Sequence, residues 1–477
     1  MRSRWFCQAK RGEWASVAES ADIGGSRVLV TWAPQILSYF NAGHHTPLYS
    51  VAGYLRARPG VGHVDVMDYS VESITWKRVA DHLFQHEYDV VAVMNDLDGV
   101  DGLPRFLTYV REVAPNSRIV TFGRLSGMQP GLFRALDLDG IVGPGDYESG
   151  VLDFLGYCDG SIDAGSVHGV ELRIDGQWQA PESAGRMLSP AEWVLPDITE
   201  IPYERYDELY RDDQNKFCGI PHRRELVVPT ARGCPIGCDF CEVPAVFGRR
   251  DRRLSVDRVI RYIEDGFTAM PFEYVSFYAP TFTLDRVWVT ELCDELIARG
   301  SRYPWKCATT VHHLDQELVA LMGRSGCVRI SVGVETLDAR GAAHLPRLKR
   351  KADEAVADLA GWCDRAGIEL NCFVIVGLPG TNAASAEETI SALKRLGVRT
   401  RPTMYCPNER LTEGMTMQDI ALHNRQIILD GGRSTAEERR RAYGILFGRS
   451  DDLTEVFERI PRHAPARGAS VGVGGAP

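Results

Sequence analysis

The 477-residue chain is predicted to be an α/β protein carrying two successive sheets of parallel strands, followed by a short helical C-terminal region. Three observations predict this. Short apolar runs alternate with amphipathic stretches of crossover-helix length over residues 26–157, the pattern of a doubly wound sheet. The alternation restarts at Glu225 and runs through six strand-helix units to residue 406, as in a partial (β/α)6 barrel. The intervening residues 158–222 are turn-rich, and residues 407–462 are charged and helical.

Composition bounds the rest. A hydrophobic fraction of 44% suffices for true cores, and the length suits two or three domains. The formal charge of −10 argues against a general nucleic-acid binder. A basic run, Arg249-Arg250-Asp251-Arg252-Arg253, is the local exception, suited to a solvated surface, an anionic cofactor or an electron donor. No apolar stretch approaches ~18 residues and the N-terminus has no signal-like core, so a cytoplasmic protein without a membrane anchor is expected. Nine of the twelve cysteines (Cys7, Cys158, Cys218, Cys293, Cys307, Cys327, Cys363, Cys372 and Cys406) are scattered without paired spacing, as expected of reduced thiols.

In chain order, residues 1–25 mix charge, Gly and Ser and read as a flexible leader. Strands follow at Arg27–Trp32, His63–Met67, Asp89–Met94, Arg118–Phe122 and Gly140–Val142, with helices at Pro47–Arg58, Trp76–His86 and Leu103–Val113. A ligand of such a sheet sits beyond the carboxyl ends of the strands, where strand order reverses. The loops there are Asn41 to Pro47, Asn95-Asp96, Gly123 to Gly127 and Gly143-Pro-Gly-Asp-Tyr-Glu148. G-x-G-x-x-G is missing after the first strand, which argues against NAD. In the connector, Val167–Ile174 followed by Asp175-Gly176 reads as a hairpin, and Leu195 to Pro202 as an extended crossing segment.

The second set of strands is expected at Leu226–Thr230, Tyr274–Tyr278, Trp305–Thr309, Arg329–Val334, Glu369–Val376 and Thr400–Tyr405. Its first strand delivers a loop carrying Cys234, Cys238 and Cys241 at C-x3-C-x2-C spacing. Gly233, Pro235 and Gly237 let that loop curl until the three sulfurs converge. Three thiolates leave one iron of a cubic [4Fe-4S] cluster open to another ligand. A zinc site completed by Cys218 or His222 is the alternative, but structural zinc usually draws its ligands as two spaced pairs.

At these residues the chain resembles the radical S-adenosylmethionine (SAM) enzymes, and the letters T-A-R-G-C-P-I-G-C-D-F-C resemble the branch with an N-terminal cobalamin-binding domain. The resemblance implies a Rossmann-like cobalamin domain over 26–157 and a radical SAM partial barrel over 223–406, joined by the turn-rich connector 158–222 and followed by the charged helical region 407–462 and a Gly-, Ala- and Pro-rich tail, 463–477, expected to be disordered. The cluster ligands would be Cys234, Cys238 and Cys241, with SAM held near Phe240, Glu335, Gly377 and Pro379. Cobalamin would lie against His44, Thr46, Pro47, Asn95, Gly123, Ser126, Gly143, Gly145 and Glu148. The D-x-H-x-x-G motif that supplies a cobalt-ligating histidine is missing, leaving His44 and His45 as possible axial ligands. After the second barrel strand, where the family often carries an acidic pair, this chain has Tyr278-Ala-Pro-Thr-Phe-Thr283. No catalytic residue is assigned; Tyr278, Tyr405, Cys406 and Trp305 are weak candidates to face substrate.

The resemblance further implies a C-methyltransferase of small molecules or natural-product intermediates, methyl passing from SAM through methylcobalamin to a carbon centre. Cyclisation, ring rearrangement or oxidation with the same cofactors is the enzymatic alternative. A non-catalytic cobalamin sensor is the alternative of another class, and it leaves the three-cysteine loop without purpose. The partners implied are a small-molecule substrate and an external one-electron donor such as flavodoxin or ferredoxin, with neither nucleic acid nor membrane.

Overall fold

The computed structural model describes residues 25–35, 46–72, 75–97, 100–209, 220, 223–350, 353–420 and 435–447. Most of the expected leader, the tail after 447, and His44, His45, Cys218 and His222 lie outside the described residues. Among the described residues no helix is long and apolar enough to cross a membrane.

The first sheet begins with five parallel strands, β1 (Ser26–Trp32), β2 (Val61–Asp68), β3 (Val90–Asn95), β4 (Arg118–Gly123) and β5 (Gly140–Val142). Their order, β2-β1-β3-β4-β5, reverses between β1 and β3 and so opens a crevice at the carboxyl ends there. The crossovers are α1 (Thr46–Arg56), α2 (Trp76–Gln85), α3 (Leu103–Val113) and the one-turn α4 (Arg124–Met128), and α5 (Tyr147–Cys158) follows β5. Helices cover both faces, which is why β3 is an unbroken apolar run, Val90 to Met94, with no polar alternation.

The sheet has seven strands where five are expected. The connector hairpin, β6 (Val170–Ile174) and β7 (Gln177–Gln179), pairs antiparallel with β5 and lengthens the sheet. Asp175 and Gly176 take φ of 51° and 77°, the two left-handed residues that a tight two-residue hairpin requires. The three-residue β5 would otherwise present a bare edge, and β6 covers it. The Leu195 to Pro202 segment crosses to the second unit, where Tyr262 donates to the Pro196 carbonyl at 3.0 Å. Helix α6 (Tyr203–Leu209) then ties back to the first sheet through a hydrogen bond from Tyr206 to Asp68.

The second sheet holds β8 (Glu225–Pro229), after which the chain forms the short ladder of β9 (Ala231–Arg232) and β10 (Arg252–Arg253) around the one-turn α7 (Val243–Val246). Then α8 (Val256–Ala269), β11 (Tyr274–Tyr278), α9 (Arg286–Ala298), β12 (Trp305–Thr309), α10 (Gln316–Arg324) and β13 (Cys327–Glu335) alternate. The short α11 (Ala339–Ala343) precedes α12 (Asp353–Ala366), β14 (Glu369–Val376), α13 (Ala383–Arg395) and β15 (Arg399–Met404). All six strands are parallel and in chain order from β8 to β15, as an open barrel demands.

Trp305 corrects one expectation. It starts β12, at the end of the strand opposite the rim, is fully buried against Phe277 and Phe282, and donates to the Ser325 carbonyl at 3.1 Å. It is a core residue and does not face a ligand. Helix α14 (Ala436–Phe447) opens on a capping box in which Thr435 and Glu438 bond each other's backbone N–H, and it packs on α13 through Ala442 and the Arg441–Glu387 ion pair.

Candidate functional site

The carboxyl ends of the two sheets face one cleft. It encloses a cavity of about 340 Å³, with Thr46, Pro47, Asn95 and Gly123 on one wall and Arg232, Val243, Phe247 and Tyr278 on the other. Ligand pockets run to ~300–1,000 Å³, so the cleft has the volume of a small-molecule site.

On the first wall, strand-end geometry keeps the surface low. Gly123 ends β4 at φ 146°, and a Cβ there would stand 1.9 Å from the Asn95 carbonyl oxygen. Asn95 is itself locked. Its amide donates to Thr121 at 2.9 Å and to Ser126 Oγ at 3.0 Å, and its carbonyl oxygen Oδ1 accepts from the Ser126 N–H at 3.0 Å. Ser126 thus braces the wall from behind, and it does not line the cleft. Gly143 and Gly145, also expected on the ligand, stand outside the lining. The Gly143 N–H bonds the Gly169 carbonyl at 2.8 Å within the first unit, and the Gly145 N–H bonds the Val246 carbonyl of the second at 2.9 Å, so Gly145 joins the two units. Among the described residues the lining contains no histidine, and His44 lies outside them.

Buried charge closes the seam. Arg232 grips Glu148 with both terminal nitrogens, at 3.0 and 2.5 Å, and approaches Asp146 at 3.3 Å. Arg252 holds both oxygens of Asp146 at 2.6 and 3.0 Å. Half of the basic run is therefore internal: Arg253 likewise turns inward to the Thr281 and Phe282 carbonyls, leaving Arg249 and Arg250 as its outer members. Arg124, on the first unit, reaches Asp96 at 3.2 Å and Glu242 at 3.1 Å, the latter adjoining Cys241. Glu148 thus serves the interface as well as the cleft.

The cysteine loop leaves β9 at the rim. Gly233 and Gly237 take φ of 82° and 73°, and a Cβ on Gly233 would meet the Arg250 carbonyl at 2.1 Å. Cys234 is buried with its sulfur 3.6 Å from Thr281 Oγ1, and Cys238 and Cys241 are half-buried. Burial pushes the Cys241 thiol up to about 12, and burial raises Cys238 as well while Lys349 opposes it. A metal bound to a thiol's sulfur would deprotonate it. Among the described residues no three His, Cys, Asp or Glu side chains converge as ligands of one ion. A cubane asks less of the loop, since each thiolate meets its own iron, and three soft donors on one loop fit that demand.

The expected SAM contacts gather beside this loop. Phe240 packs with Leu345, Ile375, Leu378 and Tyr405, and Tyr405 donates to Asp239 at 2.9 Å. Gly377 ends β14 at φ 90°, next to Leu378 and Pro379. Glu335 ends β13 past a bulge, with φ 65°, and Lys349 donates to it at 2.6 Å. Of the substrate candidates, Tyr278 lines the cleft and is half exposed, Tyr405 is buried against Phe240, and Cys406 follows β15 outside the lining. Sequence reading missed Arg124, Arg232, Glu242, Lys306 and Lys349. Each is a lone charge without a motif, and only its burial marks it.

Three comparisons bear on this site. Residues 228–393 match the profile of the Radical SAM superfamily. An uncharacterized methyltransferase of Pyrococcus horikoshii is 27% identical over 49% of this chain and 50% of its own length. An anaerobic magnesium-protoporphyrin IX monomethyl ester cyclase of Rubrivivax gelatinosus is 24% identical over 77% of this chain and 62% of its own length. The chain thus spans about half the length of the first relative and under two thirds of the second. Among solved structures, the radical S-adenosylmethionine methyltransferase TsrM of Kitasatospora setae, with cobalamin and a [4Fe-4S] cluster bound, superposes with a TM-score of 0.61 at 16% identity. That match covers 80% of this chain and 75% of the other, and at such identity it establishes a shared fold.

Proposed function

We propose that this chain, which carries a radical SAM domain, is a cobalamin-dependent radical SAM C-methyltransferase acting on a small molecule or natural-product intermediate. The observation that carries this reading is the shared cleft. Arg232 and Glu242, which flank the three-thiol loop at the rim of one sheet, and the glycine-ended strand β4 of the other line the same space.

Cys234, Cys238 and Cys241 would hold a [4Fe-4S] cluster, and Phe240, Glu335, Gly377 and Pro379 would border SAM. Thr46, Pro47, Asn95 and Gly123 would border the corrin, with Tyr278 and Phe247 opposite. Bound together, these groups supply a radical able to abstract hydrogen and a corrin able to deliver methyl to carbon. The protein's share is positional. Glu335 orients a cationic or hydroxyl-bearing ligand, Gly123 admits a flat ring against the backbone, and the Arg124–Glu242 and Arg232–Glu148 pairs hold the two walls at one spacing and shut out water. Substrate and an external one-electron donor are the proposed partners.

The Rubrivivax relative named as a cyclase supports a second reading, ring formation with the same cofactors. Turnover with methyl-deuterated SAM separates the two. Methyl transfer gives a deuterated product with 5'-deoxyadenosine and S-adenosylhomocysteine, whereas deoxyadenosine without methylated product favours ring formation. Anaerobic reconstitution should give about four iron and four sulfide per chain, and Cys→Ala at 234, 238 and 241 should abolish both. Iron retained by that triple variant would sink the radical reading.

A further inference from the structure

The cleft continues past the rim into the lumen of the second sheet, and its floor is polar. Strand register pairs Ser276 of β11 with Lys306 of β12 and puts Ser331 of β13, the partner of Ala308, one same-face step nearer the rim; all three line the cleft, as does Glu225 of β8. Val227 sits level with Ser276, while Ala308 and Phe373 stand nearer the rim, so the floor is reached past apolar side chains.

Lys306 is 7% exposed, and no hydrogen bond of its ammonium is found among the described residues. Its charged neighbour, Glu225 Oε2, stands at 3.6 Å, beyond hydrogen-bond length, and that oxygen already accepts from Tyr274 at 2.6 Å. An ammonium carries three donors, and this one lines the cleft with a single carboxylate at 3.6 Å, so it has donors left for an acceptor that enters the cleft. Behind Ser331 lies a group with an unmet atom. Asn371 donates to Ser331 Oγ at 3.2 Å, while its buried Oδ1 has no hydrogen-bond partner among the described residues.

We infer that the lumen floor is an anion site, and that the substrate carries a terminal carboxylate or phosphate which Lys306 binds with the help of the Ser276 and Ser331 hydroxyls. This rests on the methyltransferase reading for the identity of the occupant as substrate. Lys306 lies three residues below the end of β12, which at ~3.3 Å per residue is about 10 Å. The substrate is therefore an amphipathic acid: its charged end at Lys306, an apolar body beside those apolar side chains, and its reacting carbon about 10 Å away at the rim.

The test titrates reconstituted wild type, Lys306→Met and Lys306→Arg with phenylacetate, phenyl phosphate and the neutral phenylacetamide, by calorimetry. One of the acids should bind wild type at least about tenfold tighter than the amide, as a charge-assisted hydrogen bond allows. The preferred acid then distinguishes carboxylate from phosphate. Lys306→Met should bind all three alike, and Lys306→Arg should keep the preference. No binding by any probe, equal affinity of acid and amide in wild type, or a preference that survives in Lys306→Met overturns the site. Iron content and reductive SAM cleavage, scored on the same samples, keep the two readings apart. Loss of both with the acid preference intact refutes the radical assignment alone, and intact cleavage without preference refutes the anion site alone.

Discussion

Lys349 and Glu335 form a buried ion pair, 2.6 Å between Nζ and Oε1, on a glutamate whose backbone sits at φ 65°. A left-handed glutamate costs on the order of 1–3 kcal/mol and persists where its surroundings hold it. Here the bulge in β13 and the lysine do so. Lys349→Met strands the carboxylate, which should cost about 3–5 kcal/mol in urea unfolding, and adding Glu335→Gln should recover much of that loss. Glu335→Gln alone should weaken SAM binding about tenfold, or ~1.4 kcal/mol, at unchanged iron content. Unchanged SAM affinity would remove Glu335 from the cofactor site.

Gly123 carries the first wall. Alanine there meets the Asn95 carbonyl at 1.9 Å and an unfavourable φ, so β4 or the Asn95 loop has to move. Gly123→Ala should lose cobalamin on gel filtration, read by its visible absorbance, while retaining the iron of the other unit. A variant that keeps the corrin would show that the strand end does not approach it.

The seam between the units should behave as buried electrostatics. Arg232→Met leaves Glu148, 2% exposed, without its bidentate partner and should destabilise by about 3–5 kcal/mol. The double variant Arg232→Met/Glu148→Met should be more stable than the single one, because no orphan charge remains. Urea midpoints of both variants decide this; additive losses would mean that the pair is not coupled.

Much of this architecture was readable in the chain because helix and strand periods do not depend on distant partners. Leu103–Val113 and Tyr274–Tyr278 match their predicted bounds, and the cysteine loop announced its rim position by following a strand. What stayed hidden depends on tertiary contact. Gly143 and Gly145 looked like ligand-facing turn residues, yet Gly143 is tied to Gly169 beside β6 and Gly145 to the Val246 carbonyl of the second unit. Trp305 looked like a rim aromatic, but it opens its strand instead of closing it. Lys306 carries no local signal at all, since a lysine in a strand is marked only by what does not meet it.

Tyr405 ties the end of β15 to the cysteine loop. Its hydroxyl donates to Asp239 at 2.9 Å, between Cys238 and Cys241, and its ring meets Phe240 edge-on at 6.2 Å. Burial, reinforced by Asp239, holds the phenol protonated well above its ordinary range, so the donor is present at every working pH. Tyr405→Phe keeps the ring contact and removes only the hydrogen bond, a loss of about 1–2 kcal/mol. If that bond restrains the loop, iron release to a chelator should accelerate on the order of fivefold, the factor that about 1 kcal/mol commands. Chelator-bound iron followed by absorbance gives the rate directly. An unchanged rate, with unchanged stability, would mean that Phe240 packing alone fixes the loop and that the Tyr405 hydroxyl is free to serve the substrate instead.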